Sequence, residues 1–184
     1  MKAPAALILL GLALAGCGSA SAPAAANQVP TAASAPATDL PALTGRVVDN
    51  AALLTPAQEA ALTEESAALE RRTSDQLVVV TTPSLGGRTI EQYGLALGNS
   101  WHIGQRGKDN GVLLIVAPTE RKVRIEVGYG LEAILTNARA AQIIDESIVP
   151  RFRESNWHEG IEGGSRAIVA TLVAHADEPR QRRR

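Results

Sequence analysis

Five oxygen-bearing side chains stand out for the chemistry they would allow together: Asp49, Asp109, Asn110, Glu126 and Glu132. Each lies beside a break in the hydrophobic pattern, and so near the end of an element. Brought together, they would suit a hard divalent cation such as calcium, which takes six to eight oxygen ligands. Their spacing does not match an EF-hand loop. Plainer roles are open to the same residues. Asp49 and Asn50 suit caps of local turns, and Asp109 and Asn110 suit a turn leading into a strand, with Gly111 free to take φ > 0. Glu132 suits an exposed loop. Were phosphoryl chemistry to occur, a cation held by Asp49 and Asp109 would polarise a phosphoryl oxygen or activate water. Arg106, Lys108 or Arg124 would then offset phosphate charge. No Gly-x-Ser-x-Gly elbow or Walker-type loop occurs, and His102, His158 and His175 are scattered. Gly104-x-x-Gly107 precedes a strand, whereas a phosphate cradle opens a helix.

The elements that must position these residues follow from pattern. Thr55-Pro56-Ala57-Gln58 opens a helix with a capping box and a first-turn proline. It runs to about Arg72, with Ala61, Leu62, Ala68 and Leu69 inward. Gln76 to Thr81 reads as a buried strand, ended by Pro83 and Gly86-Gly87. A second helix follows Thr89, with Ile90, Tyr93, Leu97 and Trp101 on one face. A polar, glycine-rich loop from Gly104 to Gly111 leads into the most apolar strand, Val112 to Ala117. The turn Pro118 to Arg121 joins it to Lys122–Val127, where Val123, Ile125 and Val127 alternate with charged residues. So short a turn implies an antiparallel hairpin. A third helix starts at Thr136, carries Ile143, Ile144 and Ile148, and ends before Pro150. The last spans roughly His158 to Ala174, with Ile161, Ile168, Val169 and Leu172 inward and Trp157 packed beneath it. The fold class is therefore α/β, a three-layer α/β/α sandwich whose mixed central sheet contains a β-hairpin.

The chain start supplies an address. Lys2 precedes an apolar run, Ala5 to Ala13, and then Leu14-Ala15-Gly16-Cys17. Charge, apolar stretch and small residues in that order are the secretory signal pattern. Leu-Ala-Gly-Cys resembles a bacterial lipobox, which implies cleavage after residue 16 and a lipid on Cys17. The expected organisation is a signal peptide (1–16), lipidated Cys17 with a disordered linker (17–44), a folded domain (45–175) and a basic tail (176–184). Of the 27 residues from Gly18 to Thr44, 21 are Ala, Pro, Ser, Thr or Gly, too little apolar surface to offset the entropy of ordering. As a coil that linker would span on the order of 30 Å. Cys17 is the single cysteine of 184 residues, so no intrachain disulfide can form. The formal charge of −1 argues against a nucleic-acid partner. The cluster Arg180, Arg182, Arg183 and Arg184 reads as a solvated tail.

Three segments combine into a family pattern. Arg46-Val47-Val48-Asp49-Asn50-Ala51 precedes the first helix. Trp101-His102-Ile103-Gly104 leads to Lys108-Asp109-Asn110-Gly111-Val112-Leu113-Leu114. Ile125-Glu126-Val127-Gly128-Tyr129-Gly130-Leu131-Glu132 precedes Leu135-Thr136-Asn137-Ala138. This ordered set resembles the TPM domain family, found in bacterial exported proteins and in a thylakoid-lumen protein with acid phosphatase activity. The resemblance covers about Gly45 to Val173. It implies an acidic cluster that binds Ca2+ in some members, carried over first to Asp49 and Asp109 and then to Glu126 and Glu132. Asn137 stands where the family often has aspartate, which lowers the expected cation affinity. The function so implied is an exported, lipid-anchored accessory or scaffold module of the cell envelope, calcium-responsive, facing the periplasm or exterior and working with an envelope protein partner. The alternative is a metal-dependent phosphatase of low activity, with Asp49 and Asp109 as its catalytic candidates.

Overall fold

A computed structural model describes residues 40–178. The expected signal peptide, Cys17 and the arginine-rich end lie outside the described residues. Four strands form one mixed sheet in the order β1-β2-β3-β4: β1 (Val47–Asp49), β2 (Gln76–Thr81), β3 (Gly111–Ala117) and β4 (Lys122–Val127). The first three run parallel, and β3–β4 is the expected antiparallel hairpin. Among the described residues five α-helices accompany the sheet: α1 (Pro56–Thr73), α2 (Ile90–Trp101), α3 (Asn137–Ile143), α4 (Val149–Arg153) and α5 (Trp157–Ala174).

Alternation along the strands sorts the core into two layers. Leu77, Val79, Val112, Leu114 and Val116 meet α1 and the α3–α5 segment through Leu62, Leu69, Ile143, Ile148, Ile161, Ile168 and Leu172. The opposite row, Val78, Val80, Leu113 and Ile115, meets only α2, through Ile90, Tyr93 and Leu97. The molecule is thus the three-layer α/β/α sandwich expected from pattern. The two parallel steps run the same way across the sheet while α1 and α2 lie on opposite faces. Their crossovers are therefore of opposite hand, against the strong right-handed preference.

Local chemistry explains where helices start. Thr55 and Thr89 each accept from the backbone N–H three residues on, and Gln58 and Gln92 reach back to the capping residue's N–H, so orphan donors at both helix starts are satisfied. Two details differ from the pattern reading. The buried face of α1 is Leu62, Ser66 and Leu69, while Ala61 and Ala68 are exposed; leucine removes more apolar area from water than alanine and sets the rotation of the helix. Pro150 does not end the third helical segment. A π turn, Ile144–Ile148, follows α3, and Pro150 sits in the first turn of α4, where its missing N–H costs no helical bond. Leu40 packs beside the α2 layer, and Trp101 Nε1 donates to Pro41 O at 2.8 Å.

Close helix packing rests on Gly164 of α5. A Cβ there would lie 2.5 Å from Cδ1 of Ile148, a side chain with no exposed surface. Gly164→Ala should lower stability by about 1–3 kcal/mol through overpacking. Gly98→Ala, whose Cβ would find its nearest neighbour at 4.0 Å, should be neutral or stabilising by up to about 1 kcal/mol. Urea midpoints at constant m separate the two outcomes.

Candidate functional site

The loop that carries Asp109 is built from both sides. Helix α2 ends at His102, whose left-handed backbone (φ 52°) lets its N–H donate to Gly98 O at 3.1 Å. Gly104 follows with φ 103°, and its N–H donates to Gln76 Oε1 at 2.8 Å. The same Gln76 donates from Nε2 to Glu70 Oε1 at 2.8 Å, and Glu70 also pairs with Arg46. The Gln76 amide first, and the Arg46 guanidinium after it, hold the Glu70 carboxyl below its ordinary value against the opposing effect of partial burial. Lys108 and Asp109 both donate their N–H to Gln105 O, closing a tight turn in which Asp109 takes φ 47°.

Asn110 is the buried anchor of this loop, 1% exposed. Its Oδ1 accepts from Gln105 N at 2.8 Å, and its Nδ2 donates to Ser74 O at 2.7 Å and to Asp75 Oδ1 at 3.2 Å. Three bonds to fixed protein groups occupy the amide, so Asn110 positions the loop and is not placed to serve as a cation ligand. Gly111 also departs from expectation. It does not take positive φ, as Gly104 and Gly107 do; it is glycine because a Cβ would collide with the carbonyl of Ile103. On the far side, Gly128 N–H donates to Gly111 O at 2.7 Å and Gly130 N–H to Asp109 O at 3.0 Å. A Cβ on Gly128 would overlap the Asp109 carbonyl, and one on Gly130 the Lys108 carbonyl. The Gly-Tyr-Gly segment is therefore a seat for the Asp109 loop, made by close backbone approach.

Beside that seat opens a cleft of about 500 Å³ between the C-terminal half of α2, the 102–109 loop and the end of β4. Asp109, Glu126 and Glu132 line it together with His102, Arg106 and Tyr129. Three of the five expected ligands thus line one cleft. Glu126 lies on the α2 side of the sheet, opposite Leu113, and its Oε2 accepts from Arg124 Nε at 2.6 Å, so a cation there would compete with a guanidinium. Among the described residues no three His, Cys, Asp or Glu side chains converge closely enough to hold a metal ion. Leu95 and Tyr129, 58% and 37% exposed, give the cleft an apolar rim. Pattern reading placed Tyr129 in the motif and missed Leu95, which gives no local signal because it stands on the outer face of α2.

Asp49 is elsewhere. It ends β1 beside Thr81, at the C-terminal ends of the parallel strands, whereas Gly111 aligns with Gln76 at their N-terminal ends. Five residue steps of strand separate those levels, roughly 16 Å at about 3.3 Å each. Both Asp49 oxygens serve the turn that follows: Oδ1 accepts from Leu53 N at 3.1 Å and Oδ2 from Leu54 N at 2.8 Å, and the Thr81 hydroxyl donates to Oδ1. Asp49 is a turn cap, and it cannot share a cation with Asp109. Asn137 opens α3 as an exposed residue and does not line the cleft.

This sandwich, with an acidic cleft seated on a Gly-Tyr-Gly turn, defines a recognisable class. The TPM domain family model matches residues 47–171, and the chain belongs to the TPM domain family. Among solved structures, the N-terminal domain of a protein from P. gingivalis is similar at 33% identity and a TM-score of 0.69, covering 76% of this chain and 89% of that one. The BA42 protein of the psychrophilic bacterium Bizionia argentinensis shares the fold at 18% identity and a TM-score of 0.59, over 70% of this chain and 86% of its own. The N-terminal domain of cg2496 from Corynebacterium glutamicum does so at 14% identity and 0.55, over 70% and 80%. No curated protein sequence matches the chain. Among the described residues, no helix is long and apolar enough to cross a membrane.

The seat makes a sharp expectation. Gly130→Ala places a methyl group against the Lys108 carbonyl, a backbone atom that cannot rotate away. Stability should fall by about 2–3 kcal/mol, and amide resonances of residues 104–111 should move while those of 47–54 stay. A loss under about 0.5 kcal/mol with an undisturbed loop would show that the approach is not constraining.

Proposed function

We propose that this TPM domain is an exported accessory module of the cell envelope, tethered by a lipid on Cys17, whose acidic cleft binds calcium weakly and presents it to a protein partner. The observation that carries the reading is that Asp109, Glu126 and Glu132 line one open cleft, with the exposed Leu95 and Tyr129 at its rim. Calcium needs six to eight oxygens. The cleft supplies fewer, so water and the partner complete the shell, and ion and partner then bind with mutual reinforcement. The tether follows from the lipobox-like segment and the composition of residues 18–39. A diacyl anchor would hold the domain at a bilayer without inserting it.

Calcium titration of the full-length protein, followed by amide shifts, tests the cleft. We expect saturable shifts confined to residues 104–111 and 126–132, with Kd on the order of 10⁻⁴–10⁻³ M as in extracellular calcium modules. Asp109→Asn should weaken this about tenfold, since it removes a full ligand charge. Asp49→Ala should leave the affinity unchanged while costing about 1–3 kcal/mol of stability through the orphaned Leu53 and Leu54 amides. Absence of any saturable shift at 10-fold above that range (about 10 mM) would remove calcium from the proposal.

A further inference from the structure

A second concavity, of about 590 Å³, lies at the other end of β4, between the β3–β4 turn and the corner joining α4 to α5. Its wall is aromatic. Phe152 and Trp157, both partly buried, stand with ring centroids 4.7 Å apart at 51°. The corner fixes them: Ser155 takes φ 59°, Ser155 N–H donates to Phe152 O at 3.0 Å and Asn156 N–H to Arg151 O at 2.9 Å. Its rim is cationic. Arg121 and Arg153 line the groove, and no carboxylate does; Lys122 borders it only at the strand, its side chain on the α2 side of the sheet. Among the described residues neither arginine forms an ion pair with a carboxylate, whereas Arg151, on the same corner, pairs with Glu154 and Glu159. The groove also runs beside the start of β4, the last strand of the sheet, and among the described residues no strand pairs with the outer edge of β4. Such an edge offers main-chain groups to an extended polypeptide.

We infer that this groove docks an extended acidic segment of a protein partner, with an aromatic or aliphatic side chain laid on Phe152 and Trp157 and carboxylates at Arg121 and Arg153. Charge complementarity selects the acid, the ring pair selects the apolar residue between acids, and the open strand edge selects a polypeptide over a lipid headgroup. The chain's own ends are poor occupants. Residues 1–39 contain a single acid, Asp39, and residues 179–184 contain four arginines and none. The inference is independent of the calcium cleft, which lies at the opposite end of β4.

The probe is a five-residue capped peptide of four acidic residues around a central phenylalanine, titrated into full-length protein while the Trp157 indole N–H resonance is followed. A Trp101→Phe variant assigns that resonance. Saturable movement is expected. It should weaken about tenfold in the exposed double variant Arg121→Glu with Arg153→Glu, weaken with added salt, and vanish for a peptide with lysines in place of the acids. Replacing the central phenylalanine by alanine should weaken it as well. An unmoved resonance, or affinity equal in the double variant, overturns the inference. So does a response to phosphatidylglycerol vesicles with none to the peptide. Trp157→Phe, which keeps an aromatic ring, guards against a folding artefact: it should retain peptide affinity within about threefold, read from Lys122 and Val123 amides.

Discussion

The buried amide of Asn110 is the interaction on which the functional end of this domain depends. It ties the β3 approach to Ser74 and Asp75 at the α1–β2 junction and to Gln105 within its own loop. Water cannot replace those partners, so losing one leaves a buried polar group unsatisfied. With Asn110 fixed, the carbonyls of Lys108 and Asp109 project onto Gly128 and Gly130, and the turn after β4 closes against them. Loop, strand end and turn thus form one rigid corner, and the side chains of Asp109, Glu126 and Glu132 take their places in the cleft as a consequence.

The sheet distributes its two faces unequally, and this decides what each end can do. Among the described residues α1 and the α3–α5 segment cover one face, while α2 is the only helix on the other. The α2-facing residues of β4, namely Lys122, Arg124 and Glu126, therefore keep their polarity, with Arg124 spanning Glu126 and Glu91. At one end of β4 the cleft is lined by Asp109, Glu126 and Glu132. At the other, Arg121 and Arg153 stand beside two aromatic rings.

Much of the fold is legible in local chemistry. Thr55-x-x-Gln58 and Thr89-x-x-Gln92 mark helix starts because a capping box needs only residues three apart. The short Pro118–Arg121 turn fixes the hairpin, and apolar runs fix the central strands. What eluded the sequence is long-range. Asp49 meets Thr81 across 32 positions, a pairing set by parallel register that no local spacing encodes. The grouping of Asp49 with Asp109 failed for the same reason, since residues at strand ends give no hint of which end. Gly111, Gly128 and Gly130 look like turn glycines, but their role is clearance for a neighbouring backbone. The ring pair Phe152–Trp157 was invisible because its formation depends on the left-handed Ser155.

Native-state hydrogen exchange at three amides tests the account most directly. Gln105 donates to the Asn110 side chain, Gly104 to Gln76 and Gly130 to Asp109 O. If Asn110 locks this corner into the core, all three exchange only through an opening close to global unfolding, and Asn110→Ala lowers their protection together while leaving the Leu53 and Leu54 amides slow. Exchange of Gln105 and Gly130 at the rate of an unprotected loop in the unmodified protein would contradict it.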